Sequence, residues 1–281
     1  MRCSAILLRS AAVTALLFSV AACASAPLKP GGNLASYDGL AEAEGPRTKA
    51  RIRYDAAALA QAKTARIAPA SFSPEVAAEL TEEQKALVSA ALNRTLCDRV
   101  AERYDIVPDG ARADLTVNTT ITHLEKTEGG LAGASMAASA LSPIPFTPRL
   151  PVGMGSLAGE SEVKDASGRQ VAAMMWARGA DAFTTNPRLS KIGDAYELSE
   201  AFGRDMGRMV VRHSDPFKSA PKRTWEERKG DDPQCAVFGE KPGLAGFIGE
   251  RLGTPPGWTD KANDPKPAAK PQTVARTDEG S

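Results

Sequence analysis

The sequence predicts an α+β fold: a largely antiparallel sheet with two main amphipathic helices on one face. Three observations predict it. Residues 114–123 alternate between Leu115, Val117, Thr119, Ile121, His123 and Thr116, Asn118, Thr120, Thr122, a period of two with heavy β-branching. Residues 159–164 and 170–177 flank Asp165-Ala166-Ser167-Gly168-Arg169, which reads as a β-hairpin turning at Ser167-Gly168. Two longer segments repeat apolar residues at helical spacing.

Taken in order, residues 65–69 form a short strand that Pro69 stops or places at an edge. Thr81-Glu82-Glu83-Gln84 has the form of a capping box. Leu87, Val88, Ala91, Leu92, Leu96, Val100 and Tyr104 then recur on one face, with Lys85, Asn93, Arg94 and Asp98 opposite. Residues 105–108 give a brief strand. A second helix begins near Asp194, with Glu197 as its capping partner, and Leu198, Phe202, Met206, Met209 and Val210 form its stripe. The helices cover one sheet face. The other face is expected to be partly exposed or covered by loops.

Composition narrows the function. The 281 residues carry a net charge of +1, so no basic face points to nucleic acid. Aromatics at 5% argue against a stacking platform for bases or sugars. Twenty prolines and 24 glycines imply long irregular stretches beside one modest core, a domain of about 150 residues. The two histidines and four cysteines show no metal-ligand spacing. There is no nucleophile elbow and no phosphate loop. No cofactor, metal or catalytic residue is assigned, and the expectation is a protein that is not an enzyme.

The N-terminus has the grammar of an export signal: Arg2 and Arg9, an apolar or small run over 10–22, then a cut site. The run is shorter than the roughly 20 residues that a membrane span needs. Val20-Ala21-Ala22-Cys23 resembles the bacterial lipobox, in which the cysteine thiol receives a diacylglycerol and the new amino terminus is acylated, for instance with palmitate. Several acyl chains anchor stably where one does not. Cys23 is therefore the expected lipidation site, and 1–22 the signal peptide. The alternative is ordinary cleavage after Ala24 or Ala26. Ala24, by likeness to enterobacterial sorting, favours the outer membrane, with the protein facing the periplasm.

Residues 23–48 read as a lipid-bearing tether with partial order near Leu34-Ala35-Ser36-Tyr37, 49–213 as the α+β domain, and 214–281 as a Pro/Gly-rich extension disordered at its end. Residues 127–157 form a long Gly/Ala/Pro loop, charged only at Glu128 and Arg149, in which 131–141 could be a small-residue helix.

Gly32-Asn33-Leu34-Ala35-Ser36-Tyr37-Asp38-Gly39-Leu40 resembles the Gly-Phe-Leu-x-x-Tyr-Ser-x-Leu opening of a family of bacterial lipoproteins, domain of unknown function 3313. Asn33 departs from it where the family has Phe, and Ala35 replaces a usual charged or small spacer. Tyr54 followed by Ile67-Ala68-Pro69 is similar to a second family element. Gly159-Glu160-Ser161-Glu162, with the Asp165-Ala166-Ser167-Gly168 turn, resembles its Gly-Glu-x-Glu hairpin. The likeness covers about 23–212. It implies a periplasm-facing lipoprotein and brings no catalytic residue.

With Cys3 in the signal and Cys23 acylated, Cys97 and Cys235 remain as thiols. An exported compartment permits a disulfide between them, the alternative being two reduced cysteines. Glu160 and Glu162 share one side of a strand, either as a catalytic pair or as a solvated face balanced by Lys164 or Arg178. His123 reads as a strand-end polar residue. His213 reads as a cation at a helix C-terminus. Met174, Met175 and Trp176 read as hairpin packing. The leading expectation is a membrane-anchored envelope lipoprotein that binds a protein partner or supports an assembly. The alternatives are a carrier or sensor of a small apolar ligand, and a hydrolase centred on Glu160 and Glu162.

Overall fold

A computed structural model describes residues 25–128, 153–181, 185, 188–219, 232–240 and 242–260. The signal segment, Cys23, the expected helix at 131–141 and the end of the tail lie outside these residues.

Eight strands form one sheet: β1 (Ala41–Glu44), β2 (Thr48–Tyr54), β3 (Thr64–Ile67), β4 (Ser71–Phe72), β5 (Asp105–Ile106), β6 (Leu115–Glu125), β7 (Ser156–Asp165) and β8 (Gln170–Gly179). Their order is β1-β2-β8-β7-β6-β3-β5, with β4 beside β6. The central pairs are antiparallel. The short β3, β4 and β5 run parallel to their neighbours. Two long helices, α3 (Glu82–Ala101) and α4 (Gly193–Arg212), lie on one face, as the patterning predicts. Shorter helices α1 (Ala56–Gln61) and α2 (Pro74–Glu79) connect early strands, and α5 (Leu244–Arg251) lies in the C-terminal region.

Alternation decides which side chains meet the helices. Val117, Ile121, Leu157, Val163, Met174 and Trp176 face α3 and α4 and join one core. Trp176 stacks on Phe202 of α4 with centroids 5.2 Å apart, and its indole donates to Asp205 Oδ2 at 3.0 Å. Gln84 N donates to Thr81 Oγ1, and Thr81 N to Gln84 Oε1, both at 3.2 Å, completing the capping box of α3.

The two helices approach closely because Gly203 and Gly207 sit one turn apart on α4. A β-carbon on Gly203 would stand 2.5 Å from the Leu92 carbonyl oxygen, and one on Gly207 would stand 2.4 Å from Arg99 Cβ. Both distances are below van der Waals contact, so a larger residue must push the helices apart.

Three local readings change. Helix α4 starts without a side-chain cap, because Asp194 and Glu197 are used elsewhere. Asp194 Oδ2 accepts from Gly155 N at 2.7 Å, and Glu197 pairs with Arg188 at 3.1 Å. Asn93 and Arg94, which the patterning places opposite the apolar stripe of α3, are both buried: Asn93 Oδ1 accepts from Ala70 N at 3.2 Å, and the C-terminal region covers Arg94. Residues 26–48, which composition assigns to a tether, instead belong to the folded unit. Residues 26–40 run across the second face of the sheet, and β1 pairs with β2.

Candidate functional site

Two built features stand out: a clasp on the outer sheet face and a cleft on the helix side.

The clasp joins the N-terminal stretch to β7. On the outer face, Glu160 and Glu162 are 2% and 4% exposed, so the solvated-face reading is overturned. Glu160 Oε1 accepts from Gly31 N at 2.7 Å, and its Oε2 from Asn33 N at 3.0 Å. The Tyr37 hydroxyl donates to Glu160 at 2.8 Å and accepts from Gly32 N at 2.7 Å. Glu162 accepts from Ala35 N at 2.9 Å and Gln170 Nε2 at 3.0 Å, and pairs with Lys164 at 2.5 Å. Arg178 pairs with Asp181 rather than with either glutamate. The alternate backbone N–H groups of Gly31, Asn33 and Ala35 thus close on two carboxylates, a strong arrangement because the acceptors are charged.

Burial alone would raise the Glu162 carboxyl. The bonds from Lys164, Ala35 and Gln170 outweigh burial and hold it below its ordinary value. Burial, reinforced by Glu160, pushes the Tyr37 phenol up. Gly31 is required for contact, since a β-carbon there would meet Thr122 Cγ2 at 2.7 Å. Asn33, a departure from the family pattern, adds its own backbone and side-chain bonds to Glu160. Around the clasp, Leu34 packs on Ala173 and Met175, and Ala26 on Ala158 and Ala177. The Gly-x-Leu-x-x-Tyr and Gly-Glu-x-Glu segments, far apart in sequence, are partners in one hydrogen-bonded unit. As a hydrolytic pair the carboxylates are poorly placed, for backbone and lysine donors occupy them.

The cleft has a volume of about 760 Å³. The β1–β2 turn, α3, α4 and the C-terminal region surround it. Its lining holds Arg47, Arg94, Arg178, Arg188, Arg204 and Arg208, with the carboxylates Asp98, Glu197, Glu200 and Asp205. Arg47 and Arg178 pair with Asp181 at 3.5 and 3.3 Å, and Arg208 with Asp205 at 3.3 Å. Burial lowers the Arg208 guanidinium's proton affinity. Asp205 opposes this, while repulsion from Arg99, Arg204 and Arg212 adds to it. On the α4 wall, Glu197, Glu200 and Asp205 stand beside Arg204 and Arg208, so positive charge is concentrated at its Arg204–Arg208 end. Burial also raises the Asp205 carboxyl, against the Trp176 bond and the nearby arginines.

The cleft is braced by the C-terminal region. Cys97 of α3 and Cys235 are joined by a disulfide, with Cα atoms 5.7 Å apart. Arg94 donates to both oxygens of the buried Asp260, and the Tyr196 hydroxyl donates to Asp260 Oδ2 at 2.6 Å. Burial disfavours the charged Arg94, but Asp260 and Tyr196 hold its affinity for the proton above the ordinary value. No sequence pattern could have paired Arg94 with Asp260, which lies 166 residues away.

His123 lies inside β6 at a register shift, not at the strand's end, with Nε2 3.2 Å from Ser156 Oγ. His213 closes α4 in the left-handed region, φ 53°, 3.0 Å from the Tyr104 hydroxyl. Burial and the Arg103 charge push its pKa down, so it favours the neutral form rather than the expected cation. Among the described residues no group of three or more His, Cys, Asp or Glu could hold a metal, and no helix is long and apolar enough to cross a membrane. Both ends of the Gly/Ala/Pro loop leave from the start of β7, where Glu128 N donates to the Gly153 carbonyl at 2.9 Å.

The fold and clasp define an α+β domain whose N-terminal stretch is an integral part of it. The chain belongs to the family described as protein of unknown function DUF3313, matched over residues 29–206. No curated protein matches it significantly. Among solved structures, it is similar to a PelC dodecamer from Paraburkholderia phytofirmans, with 12% identity over 62% of this chain and 99% of that one and a TM-score of 0.32. A variant PelC dodecamer gives 10% identity, 58% and 97% coverage, and a TM-score of 0.33. A DUF4136 family protein from Bacteroides thetaiotaomicron gives 11%, 61%, 98% and 0.31.

Proposed function

We propose that this chain is a lipid-anchored envelope protein, held through Cys23 and facing the periplasm, and on the outer rather than the inner membrane. It acts by binding rather than by catalysis. Its docking site is the arginine-lined cleft, and the partner contributes an acidic protein segment. The cluster of arginines at the Arg204–Arg208 end of the cleft carries this reading. Arg204 and Arg208 line the cleft, and Arg99 and Arg212 repel the Arg208 charge. An incoming carboxylate relieves that repulsion and gains charge-assisted hydrogen bonds. Strand addition at the sheet edge has less support, because β1 is four residues long and carries Glu42 and Glu44.

The other readings have weaker support. An apolar-ligand carrier needs an apolar cavity, whereas this cleft is lined by charges and residues 26–40 occupy the outer sheet face. A hydrolase loses its centre because Glu160 and Glu162 serve the clasp.

Photocrosslinking in intact cells from a benzophenone residue at Thr95, in the cleft lining, tests the proposal. The expected outcome is an adduct with an envelope protein that disappears in the Arg204→Glu/Arg208→Glu variant. Adducts identical to those from a benzophenone at Ser167, on the distant hairpin turn, would overturn it.

A further inference from the structure

Helix α5 presents a line of aliphatic side chains to solvent. On a water-soluble surface helix the apolar stripe faces the core. Here Gly246 and Gly249 face inward, while Leu244 and Ile248 stand out, 75% and 48% exposed. Leu252 continues the line at the same four-residue step, bonded through its N–H to the Ile248 carbonyl at 2.9 Å and 63% exposed. Steps of four keep these side chains on one face. Trp258, on the adjoining 3-10 turn (Pro256–Trp258), is 78% exposed. Leu189 is exposed beside them, its N–H bonded to the Gly253 carbonyl at 2.9 Å. Soluble monomers seldom leave this many large apolar side chains exposed in one short region without a use for them.

The position of this face identifies its occupant. Leu189 lies just before α4, and the start of α4 is tied to the start of β7 through Gly155 and Asp194. The N-terminal chain leaves the domain at that same end. Ala26 packs against Ala158, two residues from the start of β7, and Ala177, two residues from the end of β8. Ala26 is only three residues after Cys23. Three extended residues reach about 10 Å. An anchor at Cys23 therefore brings this end of the domain against the bilayer.

We propose that the Leu244, Ile248 and Leu252 face, together with Trp258 on the adjoining turn, rests in the headgroup–acyl boundary of the membrane that carries the anchor. This rests on the lipid-anchor reading above. The chemistry suits that boundary: a short helix lies flat with its aliphatic side chains down, and a tryptophan takes the level where one end is apolar and the other wet. The clasp makes docking one-sided, because the chain enters the membrane from a fixed point on the fold. The outcome is a domain held in one orientation rather than one swinging on a tether.

The test uses the full mature chain, purified with any acyl groups and reconstituted in phosphatidylethanolamine–phosphatidylglycerol vesicles containing a brominated lipid. A Trp225→Phe background leaves the emission of Trp176, which is fully buried, and Trp258. The bromolipid should quench emission, and Trp258→Phe should abolish the quenchable part. Leu244→Ser/Ile248→Ser/Leu252→Ser should lose most of the quenching while the protein still floats with the vesicles. Flotation that depends on Cys23 with Trp258 unquenched would overturn the docking alone. So would an Ile248→Cys disulfide between copies in unquenched samples, which assigns the face to self-association. An unacylated Cys23 by mass spectrometry, with no flotation, would overturn the anchor and the docking together.

Discussion

At Glu162 a single carboxylate reports the state of the N-terminal stretch. Its folded pKa lies below the unfolded value, because the Lys164, Ala35 and Gln170 donors outweigh burial. The sign follows: the group stabilises the fold above its unfolded pKa, about 4.3, and that contribution is lost as pH falls through the lower folded value. Acid titration should therefore release residues 31–37 before the main core unfolds, and Glu162→Gln should flatten this step in a fluorescence or exchange titration. Arg94 poses the opposite problem. Arg94→Ala leaves Asp260 charged and buried, and should cost about 3–5 kcal/mol in denaturant unfolding. The double variant Arg94→Leu/Asp260→Leu should recover much of that loss. Neither residue's role was legible in the sequence. Alternation gave the side of the strand for Glu160 and Glu162 but not what lies over it. Helical spacing put Arg94 on the face away from the sheet, and the covering segment arrives from the far end of the chain.

Among the elements, the strands and long helices were legible because period and capping act locally. Residues 115–125 alternate without interruption as far as the shift near His123, and Thr81-Glu82-Glu83-Gln84 specifies its own helix start. The first two strands were missed because 41–54 are short, Ala-rich and charged, and take their stability from pairing with β8 rather than from their own pattern. The four-residue spacing of Gly203 and Gly207 was the overlooked signal for close helix packing. Its consequence is measurable: Gly203→Leu should destabilise the protein by about 1–3 kcal/mol or more, since overpacking here presses on the α3 backbone. An unchanged melting curve for that variant would show that the helices are not held at this distance.

Across the described molecule, the Cys97–Cys235 disulfide, the Arg94–Asp260 pair and the Tyr196–Asp260 hydrogen bond join the C-terminal region to the helix pair. The disulfide closes a loop spanning 138 residues, for which the chain-entropy model gives up to about 5 kcal/mol. Cys97→Ser/Cys235→Ser should lower stability by that order and make the 232–260 region more sensitive to protease, with the sheet intact. Composition made the Pro/Gly-rich segments look like a tether and a tail. The fold uses parts of both as covers, one over the outer sheet face and one over the helices.

The N-terminal stretch is clasped to the sheet, which fixes where the chain leaves the domain toward Cys23. Hydrogen exchange of the Gly31, Asn33 and Ala35 amides in the full chain at neutral pH tests this clasp most directly. The account predicts strong protection that collapses in Glu160→Gln/Glu162→Gln while the β6–β8 amides stay protected. Exchange of those three amides at unstructured rates in the unaltered protein would contradict it.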